Sequence, residues 1–221
     1  MSYNIGMFAK EEYTAICSEL AGKAVLCAVS KQHSVQDIQT AYGLGQRIFA
    51  ENKAQELARK AALLPADIEW HFIGHLQRNK VRHIMPYVSC IQSLDSLRLA
   101  ETIEAEAARV NKTISCLLEL HLAETDTNKT GLSKEEAAPL LEDCLSMPHL
   151  RIEGIMVMGP HTEDAALIHS VFRQARQIFL ELQRRFPSIQ ILSMGMSDDY
   201  KTAVEEGSNM VRIGSRLFRE D

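Results

Sequence analysis

The sequence has 221 residues, 46% hydrophobic and 24% charged, which is ordinary for one globular domain. Its formal net charge of −5 argues against a nucleic-acid-binding protein, which usually carries a basic face. Five widely spaced cysteines, with no CxxC pair, argue against a disulfide framework or a zinc site. No stretch resembles a membrane span or a secretory leader, so we expect a cytoplasmic protein that does not bind a membrane.

Short apolar runs of strand length alternate along the chain with amphipathic stretches of helix length. A first helix is predicted near residues 8–20. The eight strands predicted after it are residues 24–30, 47–50, 69–73, 89–92, 113–120, 151–158, 190–194 and 210–213. The clearest helical patterns between strands are residues 100–110 and 164–185, where apolar residues recur at three- and four-residue spacing.

This alternation predicts a parallel α/β sheet, whose strands are nearly continuously apolar because helices cover both faces. Such a sheet either closes into a barrel or stays open and doubly wound. No GxGxxG follows the first strand, which removes the usual nucleotide signature of the open form, and eight units favour the barrel. We therefore predict a single (β/α)8 TIM-barrel domain over residues 1–221.

Polar residues and glycines gather directly after the predicted strands. In a (β/α)8 barrel these strand ends meet at one mouth, where such folds place their sites. Lys31 follows the first strand, and a lysine held at the edge of a packed core is suited to attack a carbonyl group. The alternative is a strand-end lysine that only reaches into solvent.

The ends of the last two strands predict an anion site, because barrels often bind phosphate with these two loops and a helix N-terminus. Gly195 lets the backbone approach a ligand closely. Ser197, Gly214 and Ser215 offer hydroxyl and backbone N–H groups. The alternative is that the glycines serve turns and the serines cap helices.

Three further polar positions need an interpretation. Arg212 lies within the last predicted strand, where a guanidinium needs a partner. An ion pair with a strand-end carboxylate, such as Glu119 or Glu51, and a ligand contact are equally open. His71 and His75 are four residues apart, but on a strand this spacing does not give one helical face. We expect no metal site, with His71 facing the core and His75 the mouth.

Short motifs spread along the chain are similar to those of one known family. They are AVSK at 28–31, IFAEN at 48–52 with Gln55–Glu56, WHFIGHLQRNK at 70–80, SLD at 93–95, KTGL at 129–132, SMGMSDD at 193–199 and VRIGSRLF at 211–218. Together they resemble the pyridoxal phosphate homeostasis proteins, a family that looks like the barrel domain of alanine racemase without its second domain. The resemblance spans nearly the whole chain and implies pyridoxal 5′-phosphate (PLP) as cofactor.

The resemblance also implies roles for matching residues. Lys31 would be the lysine that holds PLP as a Schiff base, and Ser197, Gly214 and Ser215 would hold the phosphate. Arg212 would face the pyridine nitrogen. The residues that would line or approach the ring are Asn52, Met194, His75 and Met158.

The chain departs from the family pattern at three places. Ala50 stands where the family usually has glycine, and His121 stands near the place of a frequent asparagine. The sixth strand ends in MVMGP, where the family often has a threonine and a second proline. These departures leave Lys31 and the phosphate residues unchanged, but they concern the ring-side and rim contacts.

The chemistry implied by the resemblance is limited. An arginine at the pyridine nitrogen cannot accept a proton, so it predicts a weak electron sink and disfavours transamination. Racemisation needs an acid and a base on opposite faces of the substrate carbon. In alanine racemase a tyrosine from the second domain of the neighbouring subunit serves one face, and nothing here follows Asp221.

We therefore expect a monomeric protein that acts in intracellular PLP, or vitamin B6, homeostasis without robust catalysis. Its partners would be PLP and the apo forms of PLP-dependent enzymes. One alternative is a PLP-dependent amino-acid racemase. Another is a Schiff-base or phosphate-binding barrel of aldolase type that never uses PLP.

Overall fold

The structure is a computed structural model that describes residues 7–122 and 130–219. Eight parallel strands close into a barrel in chain order, and the last barrel strand pairs with the first. Across the described residues the strands are β1 (Met7–Phe8), β2 (Val25–Val29), β3 (Ile48–Glu51), β4 (Glu69–Phe72), β5 (Val88–Leu94), β6 (Ile114–Leu120), β7 (Leu150–Val157), β8 (Ile191–Ser193), β9 (Met210–Ile213) and β10 (Phe218–Arg219). The barrel is formed by β2 to β9, which confirms the predicted fold.

Helices lie outside the barrel and connect its strands. They are α1 (Lys10–Leu20), α2 (Val35–Gly43), α3 (Ala54–Ala61), α4 (Val81–Ile84), α5 (Leu97–Arg109), α6 (Lys134–Cys144), α7 (Ala165–Arg185) and α8 (Tyr200–Glu205), with a 3-10 turn at Arg78–Lys80. Several of these helices begin at a capping residue that the sequence supplies. Ser34 and Asp37 form a capping box on α2, and Asp164 accepts the first free amides of α7.

The predicted strand bounds agree with the structure to within two residues. The sequence did not predict the antiparallel pair β1–β10, in which Phe8 lies opposite Phe218. Strands of two residues are too short to show an alternating pattern. The pair is stabilised by aromatic packing, since the Phe8 ring lies 5.2 Å from that of Phe218 and 5.4 Å from that of Tyr13.

Alternation along each strand divides the side chains between two environments. At β8, for example, Leu192 and Met194, the residue directly after the strand, belong to the large apolar core, whereas Ser193 between them does not. The outward residues pack against the helices in that core, and the inward residues fill the barrel interior with small apolar clusters and a polar network. In the described part of the chain, no helix has both the length and the apolar character to cross a bilayer.

Candidate functional site

A cavity of about 600 Å³ opens at the carboxyl ends of the barrel strands. It brings together residues that follow seven different strands and are distant in sequence. Eight of the nine site residues predicted from the sequence line it: Lys31, Asn52, His75, Met158, Ser197, Arg212, Gly214 and Ser215. The volume lies in the usual range for small-molecule sites, roughly 300–1,000 Å³.

Met194 is the ninth predicted residue, and it does not line the cavity. Its side chain is fully buried in the large apolar core. The reason is alternation: Ser193 points into the barrel, so its neighbour on the strand points outward to the helices. The predicted contact of Met194 with a bound ring stays a prediction.

The cavity has further lining residues that the sequence did not single out as ligand contacts. These are Val29, Ile73, Gly74, Glu119, Leu120, His121, Leu122, Thr130, Met196 and Asp198. Thr130 belongs to the KTGL motif, of which Lys129 lies outside the described residues. His121, one of the departures from the family pattern, therefore lies at the cavity itself.

Lys31 lies on a tight turn immediately after β2, with its side chain exposed towards the cavity. The amide of His33 donates to the carbonyl of Ser30 at 3.1 Å, which closes the turn around Lys31 and Gln32. Gln32 has a φ of 68°, in the left-handed region that side chains other than glycine rarely adopt. The turn thus places Lys31 at the mouth through an unfavourable backbone conformation.

Arg212 is almost completely buried in the barrel interior beneath the cavity. One terminal nitrogen donates to the carbonyl and hydroxyl oxygens of Ser193, at 2.9 and 2.7 Å. The other donates to the carbonyl of Val157 at 2.9 Å and contacts the sulfur of Met158 at 3.4 Å. Burial lowers the pKa of this guanidinium from its usual value.

These contacts bear on one of the two roles left open for Arg212, the ion pair with a carboxylate. Among the described residues it has no carboxylate within ion-pair distance, so neither Glu119 nor Glu51 is its partner. Glu51 points outward from the barrel and binds Lys60 instead, at 2.8 Å. The hydrogen bonds that Arg212 makes to described residues use its terminal nitrogens and not Nε.

A hydrogen-bonded chain continues from Arg212 through the barrel interior. The hydroxyl of Ser193 donates to Oε1 of Gln92 at 2.7 Å, and Nε2 of Gln92 lies 2.8 Å from Nδ1 of His71. Because a guanidinium can only donate, each following group donates to the next, and Nδ1 of His71 is the final acceptor. Burial lowers the pKa of His71 to about 4, so the ring stays neutral.

The loops after β8 and β9, where the anion site is predicted, lie together at the cavity. Gly195 has a φ of 95°, and its carbonyl accepts the amide of Arg212 at 2.9 Å, which joins the two strand ends. The amide of Gly214 lies 3.4 Å from the hydroxyl of Ser197. A Cβ atom at Gly214 would lie 3.1 Å from the carbonyl oxygen of Val29, closer than an ordinary van der Waals contact, so glycine eases this close approach.

The opposite rim of the cavity carries acidic groups. His75 is exposed and lies 3.5 Å from the carboxylate of Asp95. His71 is buried in the barrel interior, in agreement with the prediction that it faces the core and His75 the mouth. Burial raises the pKa of Glu119, and the nearby Asp95 raises it further. Within the described ranges, no group of three or more His, Cys, Asp or Glu side chains is placed to hold a metal ion.

Comparison with known proteins identifies relatives along the whole barrel. The family model for the N-terminal domain of alanine racemase matches residues 10–220. The pyridoxal phosphate homeostasis protein of Aquifex aeolicus is 38% identical over 208 residues, covering 91% of each chain. That of Synechocystis is 35% identical over 215 residues, covering 96% of this chain and 98% of the relative.

Solved structures show the same architecture. PipY of Synechococcus elongatus with PLP bound is 35% identical, with a TM-score of 0.87, and the match covers 94% of this chain and 98% of PipY. Alanine racemase of Clostridium difficile is 14% identical with a TM-score of 0.79 over 55% of its chain, which shows a shared fold alone. The chain therefore belongs to the pyridoxal phosphate homeostasis protein family, whose single barrel has the alanine racemase N-terminal fold.

Proposed function

We propose that this protein binds pyridoxal 5′-phosphate, linked to Lys31 as a Schiff base, and acts in intracellular PLP homeostasis. The observation that carries the proposal is the convergence in one cavity of Lys31, Arg212 and the loops of Ser197 and Gly214. Family membership supports it, and so does the PLP-bound structure of PipY, which is similar over nearly its whole length.

The residues present fit the cofactor. Ser197, Gly214 and Ser215 offer hydroxyl and backbone N–H groups at one end of the cavity, as an anionic phosphate requires. Arg212 lies at the cavity with Nε left for an acceptor such as a pyridine nitrogen. Lys31 supplies an amine at the rim. Asn52, His75 and Met158 complete the walls, and Met194 would act only through packing behind them.

Bound PLP supplies an aldehyde that a lysine amine captures reversibly with loss of water, and a ring that withdraws electrons. Arg212 would limit the electron withdrawal by the ring. A guanidinium has no acceptor for the N–H of a protonated pyridine nitrogen, so it does not keep that nitrogen protonated. The chain of donors from Arg212 to His71 holds that guanidinium in place. We therefore propose a binding protein without robust catalysis.

Other parts of the proposal follow from the family and the sequence. We propose that residues 1–221 form one PLP-binding domain, which the barrel closed between β2 and β9 supports. A cytoplasmic location is supported by five cysteines that are all free thiols. We also propose a monomer that releases PLP to apo PLP-dependent enzymes, to be tested by light scattering and by transfer assays.

Visible absorption of the purified protein, before and after borohydride, tests the covalent site. We expect a yellow band that borohydride removes, and a pyridoxyl adduct that peptide mass mapping places on Lys31. Lys31→Ala should lose the adduct and keep part of the phosphate-held PLP, whereas Lys23→Ala, at an exposed lysine outside the cavity, should behave as wild type. Protein that stays colourless with added PLP would overturn the proposal.

Amino-acid turnover distinguishes the binding protein from a PLP-dependent racemase. Incubation of the PLP-loaded protein with L-alanine or other free amino acids should yield no more D-isomer than free PLP does. Turnover that disappears in Lys31→Ala would show catalysis and would replace the binding role by an enzymatic one. Arg212→Ala should weaken PLP binding and shift the absorption band.

A further inference from the structure

Lys60 lies on α3, outside the barrel. Of the lysines and arginines in the described structure, only Lys60 and Arg212 are buried, and Lys60 does not line the cavity. Its side chain is completely buried. An ammonium has three N–H donors, and all three are used here. Nζ donates to the carbonyl of Ser30 at 2.6 Å and to Oε1 of both Glu51 and Glu56 at 2.8 Å.

Two of these contacts hold the turn that carries Lys31. The carbonyl of Ser30, immediately before Lys31, accepts both the turn amide of His33 and the ammonium of Lys60. The amide of Gln32, immediately after Lys31, donates to the same oxygen of Glu56 that Lys60 binds, at 2.7 Å. The backbone is therefore fixed on both sides of Lys31 by one charged centre.

The third contact fixes this centre to the barrel. Oε1 of Glu51, at the end of β3, accepts Lys60 and also the hydroxyl of Ser30 at 2.7 Å. Lys60, Glu51, Glu56 and Ser30 therefore form one cluster between β2, β3 and α3, which we call the turn anchor. Its members lie behind the cavity wall, and none of them lines the cavity.

The turn needs such an anchor because its conformation is unfavourable. Gln32 adopts a left-handed φ of 68° without being glycine, and residues held in this region persist where surrounding contacts over-determine them. A free turn would relax to an ordinary φ and redirect Lys31. The bond from the Gln32 amide to Glu56 is the contact that opposes this relaxation most directly.

We infer that Glu56 and Lys60 are positioning residues that hold the Lys31 turn, so that its amine is presented to the cavity for covalent capture of an aldehyde. This inference rests on the proposed function, because it concerns how Lys31 performs it. Neither residue touches the ligand, and the phosphate end of the site, at Ser197 and Gly214, is built by other strands.

The separation of the two ends of the site makes the inference testable. Glu56→Ala removes the acceptor of the Gln32 amide from a half-buried helix position, and this variant is expected to fold. Glu56→Gln keeps an acceptor oxygen at the same place. Gln55→Ala, at the exposed preceding residue of α3, is the matched control.

Two ligands separate capture from phosphate binding. PLP can be captured by Lys31, whereas pyridoxine 5′-phosphate carries an alcohol in place of the aldehyde and cannot be. In Glu56→Ala we expect capture of PLP by Lys31, followed by absorption, to weaken roughly ten-fold or more, the scale of a lost hydrogen bond to a charged group. Affinity for pyridoxine 5′-phosphate should stay within about two-fold, since the phosphate contacts are intact.

Amide hydrogen exchange of the ligand-free protein gives a readout independent of the cofactor. The amides of Gln32 and His33 should exchange faster in Glu56→Ala by roughly ten-fold or more, while those of distant strands keep their protection. Glu56→Gln should keep most of the wild-type PLP capture and amide protection, and Gln55→Ala should match wild type in both. Lys60→Met should show the same local pattern together with a loss of stability.

The outcomes distinguish the two proposals. If wild-type protein fails to capture PLP at Lys31, the proposed function fails. If wild type captures PLP, and Glu56→Ala captures it equally well with unchanged exchange at Gln32, the positioning role is wrong. A uniform rise of exchange over the whole barrel would also overturn it, because it would assign Glu56 a general structural role.

Discussion

The two cations of the candidate site are held by networks of opposite character on opposite faces of the barrel wall. Lys31 stands on a turn whose backbone is fixed from the helix side by the turn anchor, which contains one ammonium and two carboxylates. Arg212 is fixed from the barrel interior by two carbonyls and the hydroxyl of Ser193. That hydroxyl is held in turn by the side-chain amide of Gln92, which is hydrogen-bonded to the neutral ring of His71.

The difference fits the role proposed for each side chain. Arg212 is a fixed charge, so neutral dipoles suffice to orient it and leave its charge available to a ligand. The proposed role of Lys31 needs a mobile amine, and the structure holds its backbone while its side chain is exposed at the cavity. Charges hold backbone groups strongly, but their burial makes the turn anchor sensitive to the loss of any one member.

Removing Lys60 should give the largest effect. Lys60→Met leaves the buried carboxylate of Glu51 without its cation, a change that typically costs about 3–5 kcal/mol of stability. Urea denaturation at neutral pH measures it. The matched control is Arg59→Met, an exposed cation one residue earlier on the same helix, which should change stability by less than about 0.5 kcal/mol.

A second substitution identifies the cause of that loss. Glu51→Gln in the Lys60→Met background removes the uncompensated charge, and it should recover a large part of the stability. Burial raises the pKa of Glu51 even with Lys60 present. Without Lys60 the folded state therefore binds a proton that the unfolded state has released, and the single variant should lose stability as pH rises. Equal losses in single and double variants would contradict this account.

Protonation of His71 should give the next largest effect. Its pKa is about 4 in the folded protein against about 6.5 unfolded, so between these values only the unfolded state takes up the proton. Stability is then lost as pH falls through this window, by about 3 kcal/mol in total. His71→Asn should remove this part of the slope. An NMR titration of the His71 ring with a midpoint near its ordinary value would show that the interior chain does not depend on a neutral ring.

Breaking the neutral chain at its middle should cost less. Ser193→Ala leaves Oε1 of Gln92 without its donor, while Arg212 keeps the carbonyls of Ser193 and Val157. The expected loss is about 1–3 kcal/mol in urea denaturation. Ser89→Ala, a half-buried serine of β5 outside the chain, provides the control. A loss as large as that of Lys60→Met would remove the contrast between the two networks.

The sequence predicted the barrel and its mouth because both depend on simple regularities. Apolar runs mark buried strands, and the ends of parallel strands must meet in a closed barrel. Lys31, Ser197, Gly214 and Ser215 were therefore placed correctly at the cavity by their position after strands.

What the sequence could not show depends on which way a side chain points. Glu56 and Lys60 are four residues apart, a spacing typical of exposed ion pairs on helices, so nothing marked Lys60 as buried. Strand alternation turns the side chains of Met194 and Glu51 outward, and the sequence alone did not resolve this orientation. The link between Ser193, Gln92 and His71 joins three strands and has no signature within any one of them.

The pairing of β2 with β9, which closes the barrel, has a consequence for biosynthesis. Lys31 follows β2, so it is synthesised well before β9, the strand that closes the barrel beside it. A nascent chain therefore carries Lys31 before it has the loops of Ser197 and Gly214, which are proposed to select a phosphorylated ligand. Aldehydes that meet the chain before β9 is made would find an ordinary lysine, and the proposed selection begins only when β9 and its loop have joined the barrel.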